Sequence, residues 1–130
     1  MTTAMVDTPS RPSRPQLWRI TDRRSFGALR QHGRRVRRGP LTVTFLPPRG
    51  VEELVPPRVA FAVGAAVGGA VIRNRIRRRL RAALRALLVA ERLPRGDYLI
   101  SAGAEVARVA STELARHLED AVDAATGPPR

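Results

Sequence analysis

VGGAVIRNRIRRRLRAALR, residues 67–85, carries seven arginines between Arg73 and Arg85 and still keeps an apolar series through the same stretch. At 100° per residue, Ile72, Ile76, Leu80, Ala83, Leu84 and Leu87 fall on one side, the spacing of an amphipathic helix. Asn74, Arg77, Arg78, Arg81 and Arg85 point the other way. The cationic side has no acid at i±3 or i±4 to pair with, so its self-repulsion is relieved best by an anionic polymer. The segment therefore predicts a helix over about 69–91 with one face for a core and one for phosphates, stopped by Pro94 and Gly96.

The rest of the chain sorts around this helix. Thr21 as N-cap, Asp22 in the first turn, Phe26, Leu29 and the terminator Gly33 predict a short helix over about 22–32. Leu41 to Leu46 alternates with β-branched residues, which predicts a strand with Leu41, Val43 and Phe45 on one face. Pro47, Pro48 and Gly50 open a turn-rich loop that Pro56 and Pro57 close. Arg58 to Val63 is then expected as a second strand antiparallel to the first, and Asp97 to Ala102 as a third. Ser111 is expected to cap a last helix over about 112–125, with Leu114, Leu118, Ala121 and Val122 as its buried stripe. The order α-β-β-α-β-α predicts an α/β fold, a small single-domain sandwich of helices on one sheet. Residues 1–15, rich in Pro, Ser, Thr and Arg, are expected as a flexible basic arm, 16–126 as the domain, and 127–130 as a short tail.

Charge and composition narrow the function. The 130 residues have a net charge of +13, and residues 1–90 hold 19 arginines against 4 acids while residues 91–130 hold 5 against 7. Such asymmetry marks a binding surface for nucleic acid on the first two thirds of the chain. All basic residues are arginine, which reads as a coding bias, so arginine rather than lysine at any one site carries little meaning. There is no cysteine, and His32 and His117 lack ligand-like spacing, which argues against structural zinc. No apolar run approaches the roughly 20 residues of a membrane span, and the start MTTAMVDTPSRPSRPQ lacks a secretory h-region, so no membrane and a cytoplasmic location are expected.

No catalytic constellation stands out. Glu52 and Glu53 fall in the loop, Glu119, Asp120 and Asp123 on the last helix, and Ser25, Ser101 and Ser111 have no motif around them. Gly64 to Gly69 lies between a strand and a helix but lacks the Lys-Ser or Lys-Thr of a nucleotide loop. Phe26 and Phe45 have two readings. They are core rings, or a stacking platform for single-stranded RNA lined by Arg30, Arg34, Arg35, Arg37 and Arg38.

From about Trp18 to Val122 the chain resembles the protein component of bacterial ribonuclease P. Arg73-Asn74-Arg75 within VGGAVIRNRIRRRLR carries the likeness, supported by Phe26, by His32-Gly33, by Gly39-Pro40-Leu41 and by Gly96-Asp97-Tyr98. The resemblance implies a βαβ unit with a left-handed crossover, against the usual hand. It implies a subunit that helps a catalytic RNA remove the 5′ leader of precursor tRNA, one protein per RNA, with Mg2+ bound mainly by the RNA. Arg73, Asn74, Arg75, Arg77 and Arg78, with Arg81 beside them, would contact the RNA subunit, and Phe26, Phe45, Arg30, Arg34 and Arg35 would line the leader cleft. The chain departs from the family at Gly64-Ala65-Ala66, where relatives carry a basic segment, and at Arg30, where they often carry a second aromatic. Basic composition alone also admits a ribosomal or RNA-chaperone-type protein without an enzymatic assembly. An architectural DNA-binding protein is disfavoured, because no groove-docking motif is present.

Overall fold

A computed structural model describes residues 16–48 and 55–128, so the expected basic arm and residues 49–54 of the expected loop lie outside the described residues. The elements run β1 (Trp18–Arg19), α1 (Arg23–His32), β2 (Arg34–Arg38), β3 (Leu41–Leu46), β4 (Arg58–Val63), α2 (Ala70–Val89), β5 (Asp97–Ala102) and α3 (Ser111–Thr126). Single 3₁₀ turns at Ala65–Val67 and Ala104–Arg108 lead into α2 and towards α3. The α/β class and the six expected elements are present, and β1 and β2 are additions. β2 reads Arg-Arg-Val-Arg-Arg, which has no apolar alternation to betray it. It forms because β3 offers a full ladder, from Arg34 opposite Phe45 to Arg38 opposite Leu41.

The sheet order is β1-β4-β5-β3-β2. β3 and β4 do run in opposite directions, but they are not neighbours: β5 pairs antiparallel with β3 and parallel with β4, and so separates them. The strands expected to pair with each other are instead separated by a crossover, β4-α2-β5, which is the βαβ unit that the resemblance implies. The reason is burial, since Tyr98 and Ile100 on β5 are fully enclosed and need a strand on each side as well as a helical layer above.

Strand alternation divides the sheet into two faces. Leu41, Val43, Phe45, Val59, Val63, Tyr98 and Ile100 pack against Ile76, Leu80, Leu84 and Leu87 of α2 and Leu114, Leu118, Ala121 and Val122 of α3. Ile20, Leu29 and Ala60, with Phe26, Leu46 and Leu99, form a smaller cluster under α1 on the other face. The apolar stripes expected on α2 and α3 are thus the ones buried, with Ile72 and Ala83 of α2 only partly so.

The ends of the helices differ from expectation in three places. Asp22, not Thr21, caps α1, accepting from the Ser25 amide at 2.9 Å. That bond leads the causes holding the Asp22 carboxyl below its usual range. Ala110 occupies the cap position of α3, so Ser111 is already helical and makes no side-chain cap. α2 stops at Val89, before Pro94, because Glu91 takes φ 59° and lets the Arg92 amide reach back to the Leu87 carbonyl at 2.8 Å. Gly33 does end α1, through space rather than backbone freedom, since a Cβ there would lie 2.4 Å from the Leu29 carbonyl oxygen and 2.5 Å from Thr44 Cγ2.

Phe45 is 8% exposed and its ring lies 4.9 Å from that of Tyr98, whose hydroxyl donates to the Pro94 carbonyl and whose burial pushes its ionisation well above the usual range. Truncating such a ring costs about 3–5 kcal/mol. Phe45→Ala is therefore expected to lower the melting temperature sharply, and Phe26→Ala, half-buried over the smaller cluster, to lower it much less.

Candidate nucleic-acid interface

The first turns of α2 set the charge. Asn74, Arg75, Arg78 and Arg85 are exposed along its outer side, while Arg73, Arg77, Arg79 and Arg81 are half-buried along its flanks. Arg73 sits nearer the apolar stripe than the others, and its Nε is buried without a hydrogen-bond partner among the described residues. Arg77 is oriented by Asn74 Oδ1 at 3.1 Å and by the Val63 carbonyl at 3.4 Å, which ties the helix to the rim of β4. The Arg81 guanidinium lies over the Phe61 ring, 5.2 Å from its centroid. Burial, then the charges of Arg19 and Arg85, lower the pKa of Arg81. Three guanidiniums held this close repel one another, and a phosphate between them would relieve the strain.

β4 is where α2 meets the other face. β1 pairs only with Arg58 and Val59, and the Ile20 amide makes the last bond, to the Val59 carbonyl at 3.0 Å. Beyond it, β4 has no strand partner on that side among the described residues. A cavity of about 300 Å³ occupies the open edge, lined by Arg19, Phe26, Ala60, Phe61, Arg77 and Arg81. Phe26 reaches it from α1 and Phe61 from the α2 side, so two rings and three guanidiniums converge at one gap in the sheet.

From that gap an uncovered strip crosses the α1 face of the sheet. Register places Arg37, Thr42, Ser101 and Ala62 in one row across β2, β3, β5 and β4, a span of about 14 Å at the usual strand spacing. Arg37 and Ala62 are exposed, and Thr42 and Ser101 half-buried. α1 covers the neighbouring rows through Leu29 and leaves this one open. Arg35, exposed on β2 and opposite Thr44, borders it, as does the polar end of α1 with its exposed Arg30.

The expected site residues separate accordingly. Arg73, Asn74, Arg75, Arg77, Arg78 and Arg81 all stand on α2, and of these Arg77 and Arg81 meet Phe26 at the β4 edge. Phe45 does not join Phe26. Its side chain is on the opposite face, in the main core, because residues of one strand alternate sides and the cleft face of β3 belongs to Thr42 and Thr44. Arg34 is also elsewhere, donating to the Gly127 carbonyl at 2.7 Å and so fixing the end of α3. Arg19, Arg37 and Phe61 are the contributions the sequence reading missed or left in the margin. Arg37 was recognisable only as one of a charge run, and Phe61, two residues from Val59 and Val63, looks like core.

A cationic helix joined through a sheet edge to aromatic rings and an open polar strip defines a nucleic-acid-binding α/β protein. The Ribonuclease P family model matches residues 15–126, and the chain belongs to that family, as the protein subunit of the endoribonuclease that matures the 5′ ends of tRNA. The fold is similar to that of the Staphylococcus aureus RNase P protein, with TM-score 0.72, 19% identity, and coverage of 84% of this chain and 95% of that one. It is similar also to the Thermotoga maritima RNase P protein, with TM-score 0.70, 21% identity, and coverage of 84% and 98%. No curated protein sequence matches the chain. Among the described residues no helix is long and apolar enough to cross a membrane.

The placement of Arg34 yields a direct test. Arg34→Gln should lower stability by about 1 kcal/mol, the value of one hydrogen bond, and speed amide exchange at the end of α3. Its RNA affinity should stay near that of the parent, whereas Arg35→Gln should weaken RNA binding without that change in exchange.

Proposed function

We propose that the exposed arginines of α2 dock the catalytic RNA while the open edge of β4 and the strip beyond it hold the single-stranded 5′ leader of precursor tRNA. The observation that carries this reading is the cavity at the β4 edge, where Phe26 and Phe61 meet Arg19, Arg77 and Arg81. It adjoins both the cationic helix and the uncovered face, so the catalytic RNA on the first and the leader on the second are held side by side. Asn74, Arg75, Arg78 and Arg85 face outward for phosphates, and Arg73 steadies the start of the helix with its half-buried stem. A base entering the gap can stack on Phe26, and the sugar-phosphate backbone can continue over Ala62, Ser101 and Thr42 towards Arg35 and Arg37.

The assembly has one protein per RNA and works in the cytoplasm, and Mg2+ is held mainly by the RNA subunit. Among the described residues no group of three His, Cys, Asp or Glu side chains is placed to hold a metal ion. The protein positions substrate; the cleavage chemistry belongs to the RNA.

Precursor-tRNA cleavage by a bacterial ribonuclease P RNA at low magnesium, with and without the chain, is the primary test. Stimulation is expected, and the protein alone should leave the precursor intact. Arg75→Ala should weaken assembly by about 1.5–3 kcal/mol if its contact is desolvated, while Arg108→Ala should not. Phe26→Leu should weaken precursor binding by about 1–3 kcal/mol for a lost stack and leave mature tRNA binding unchanged. With about five phosphates neutralised, log K against log salt should slope near −3.5 to −4.5. A flat salt response, or equal losses for both tRNAs with Phe26→Leu, would overturn these assignments.

A further inference from the structure

α1 has a second flank. Arg24 and Ala28 lie one turn apart on the side of the helix away from Phe26 and Arg30. They border a cavity of about 450 Å³ that shares no residue with the one at the β4 edge. It sits where the end of β3 meets the starts of β4 and β5, a place fixed by the sheet order.

The cavity combines three kinds of surface. Its walls are apolar, lined by Leu46, Pro47 and Pro56 together with Trp18. Trp18 stands opposite Arg58 in the β1–β4 register and is 45% exposed, one of three large hydrophobics left so open among the described residues. Its Nε1 donates to Gln16 Oε1 at 3.0 Å, which steadies the ring. The floor is polar: Arg58 forks onto the Asp97 carboxylate at 2.8 and 2.7 Å and donates to Ser25 Oγ at 3.0 Å. Ser25 Oγ in turn donates to the Asp22 carboxylate at 2.9 Å, so what the floor offers is the remaining acceptor capacity of the Asp97 and Ser25 oxygens beside the Arg58 charge. Arg24, exposed on α1, supplies a cation at the rim.

A flat aromatic wall, a floor of fixed acceptors beside a guanidinium and a cation at the mouth match, in order, the face, the amino-bearing edge and the phosphate of a nucleotide. The volume falls within the usual range of small-ligand sites, about 300–1,000 Å³. The occupant is drawn by charge, since arginines exceed acids by 15 across residues 1–90, which supply most of the lining. We infer that this cavity takes a single unstacked nucleobase of an RNA partner, stacked on Trp18, with its polar edge at Arg58, Asp97 and Ser25 and its phosphate at Arg24. The site is separate from the leader path and does not depend on it.

Trp18 is the only tryptophan, so its fluorescence reports this cavity alone. The full chain, without the RNA subunit, is titrated with each nucleoside 5′-monophosphate and with ribose 5-phosphate as the probe lacking a base. Saturable quenching by a nucleotide and none by ribose 5-phosphate is expected. Ala28→Glu, which places a carboxylate at the cavity wall, should abolish the quenching, and Phe26→Leu should preserve it. Arg24→Glu, on the exposed rim, gives the same reading if Ala28→Glu fails to fold by circular dichroism. In parallel, Trp18→Ala should weaken binding of a short labelled single-stranded RNA about 5-fold or more, the loss of one base stack. Quenching that ribose 5-phosphate reproduces, or that survives Arg24→Glu, would overturn the assignment. So would quenching by a proline-rich peptide with none by nucleotides, which would make the occupant a protein.

Discussion

Leu80 and Arg81 are adjacent on α2, and the fold depends on putting the first out of water while keeping the second within reach of it. Leu80 is completely buried, with Ile76, Leu84 and Leu87 on the same stripe. Burial of such side chains contributes about 1.5–3 kcal/mol each, enough to hold a helix whose other face repels itself. The core thus anchors a concentration of positive charge that an isolated helix of this sequence would not sustain. Because α2 is also the crossover between β4 and β5, its position fixes which strand edge the arginines overlook.

The two faces of the sheet are covered unequally, and function follows from the difference. α2 and α3 together close one face, whereas α1, ten residues long, covers only part of the other. What α1 leaves open on one flank is the row from Arg37 to Ala62, and on the other the cavity beside Trp18. The β4 edge stays open because β1 contributes only two residues to the sheet.

The acids are placed where they hold the fold together. Arg92, just past α2, pairs with Glu119 and Asp123 of α3, whose charges keep its pKa raised, and Asp97 neutralises Arg58 at the heart of the strand ends. Exposed pairs of the Arg92 kind contribute little individually. Their consequence is spatial: Glu119 and Asp123 are held by Arg92 at the far end of α2, and among the described residues no ion pair forms with the arginines of its first turns. The positive field at that end is left for RNA.

The sequence by itself determined the α/β class, the apolar stripes of α2 and α3, the strands around Val43, Val59 and Ile100, and the cationic helix with its Arg73-Asn74-Arg75 signature. These are legible because helical and strand periodicity are local properties of the chain. Tertiary structure alone decided that β5 lies between β3 and β4, that an arginine-rich segment becomes an edge strand, and that Phe26 meets Phe61 while Phe45 turns to the core. Pairing partners and sheet faces depend on contacts between residues far apart in the chain, and no local pattern records them. Arg34 and Arg35 make the distinction plain: they are identical neighbours in sequence, yet strand alternation gives one to the end of α3 and the other to the open face, because successive side chains must point to opposite sides of the sheet.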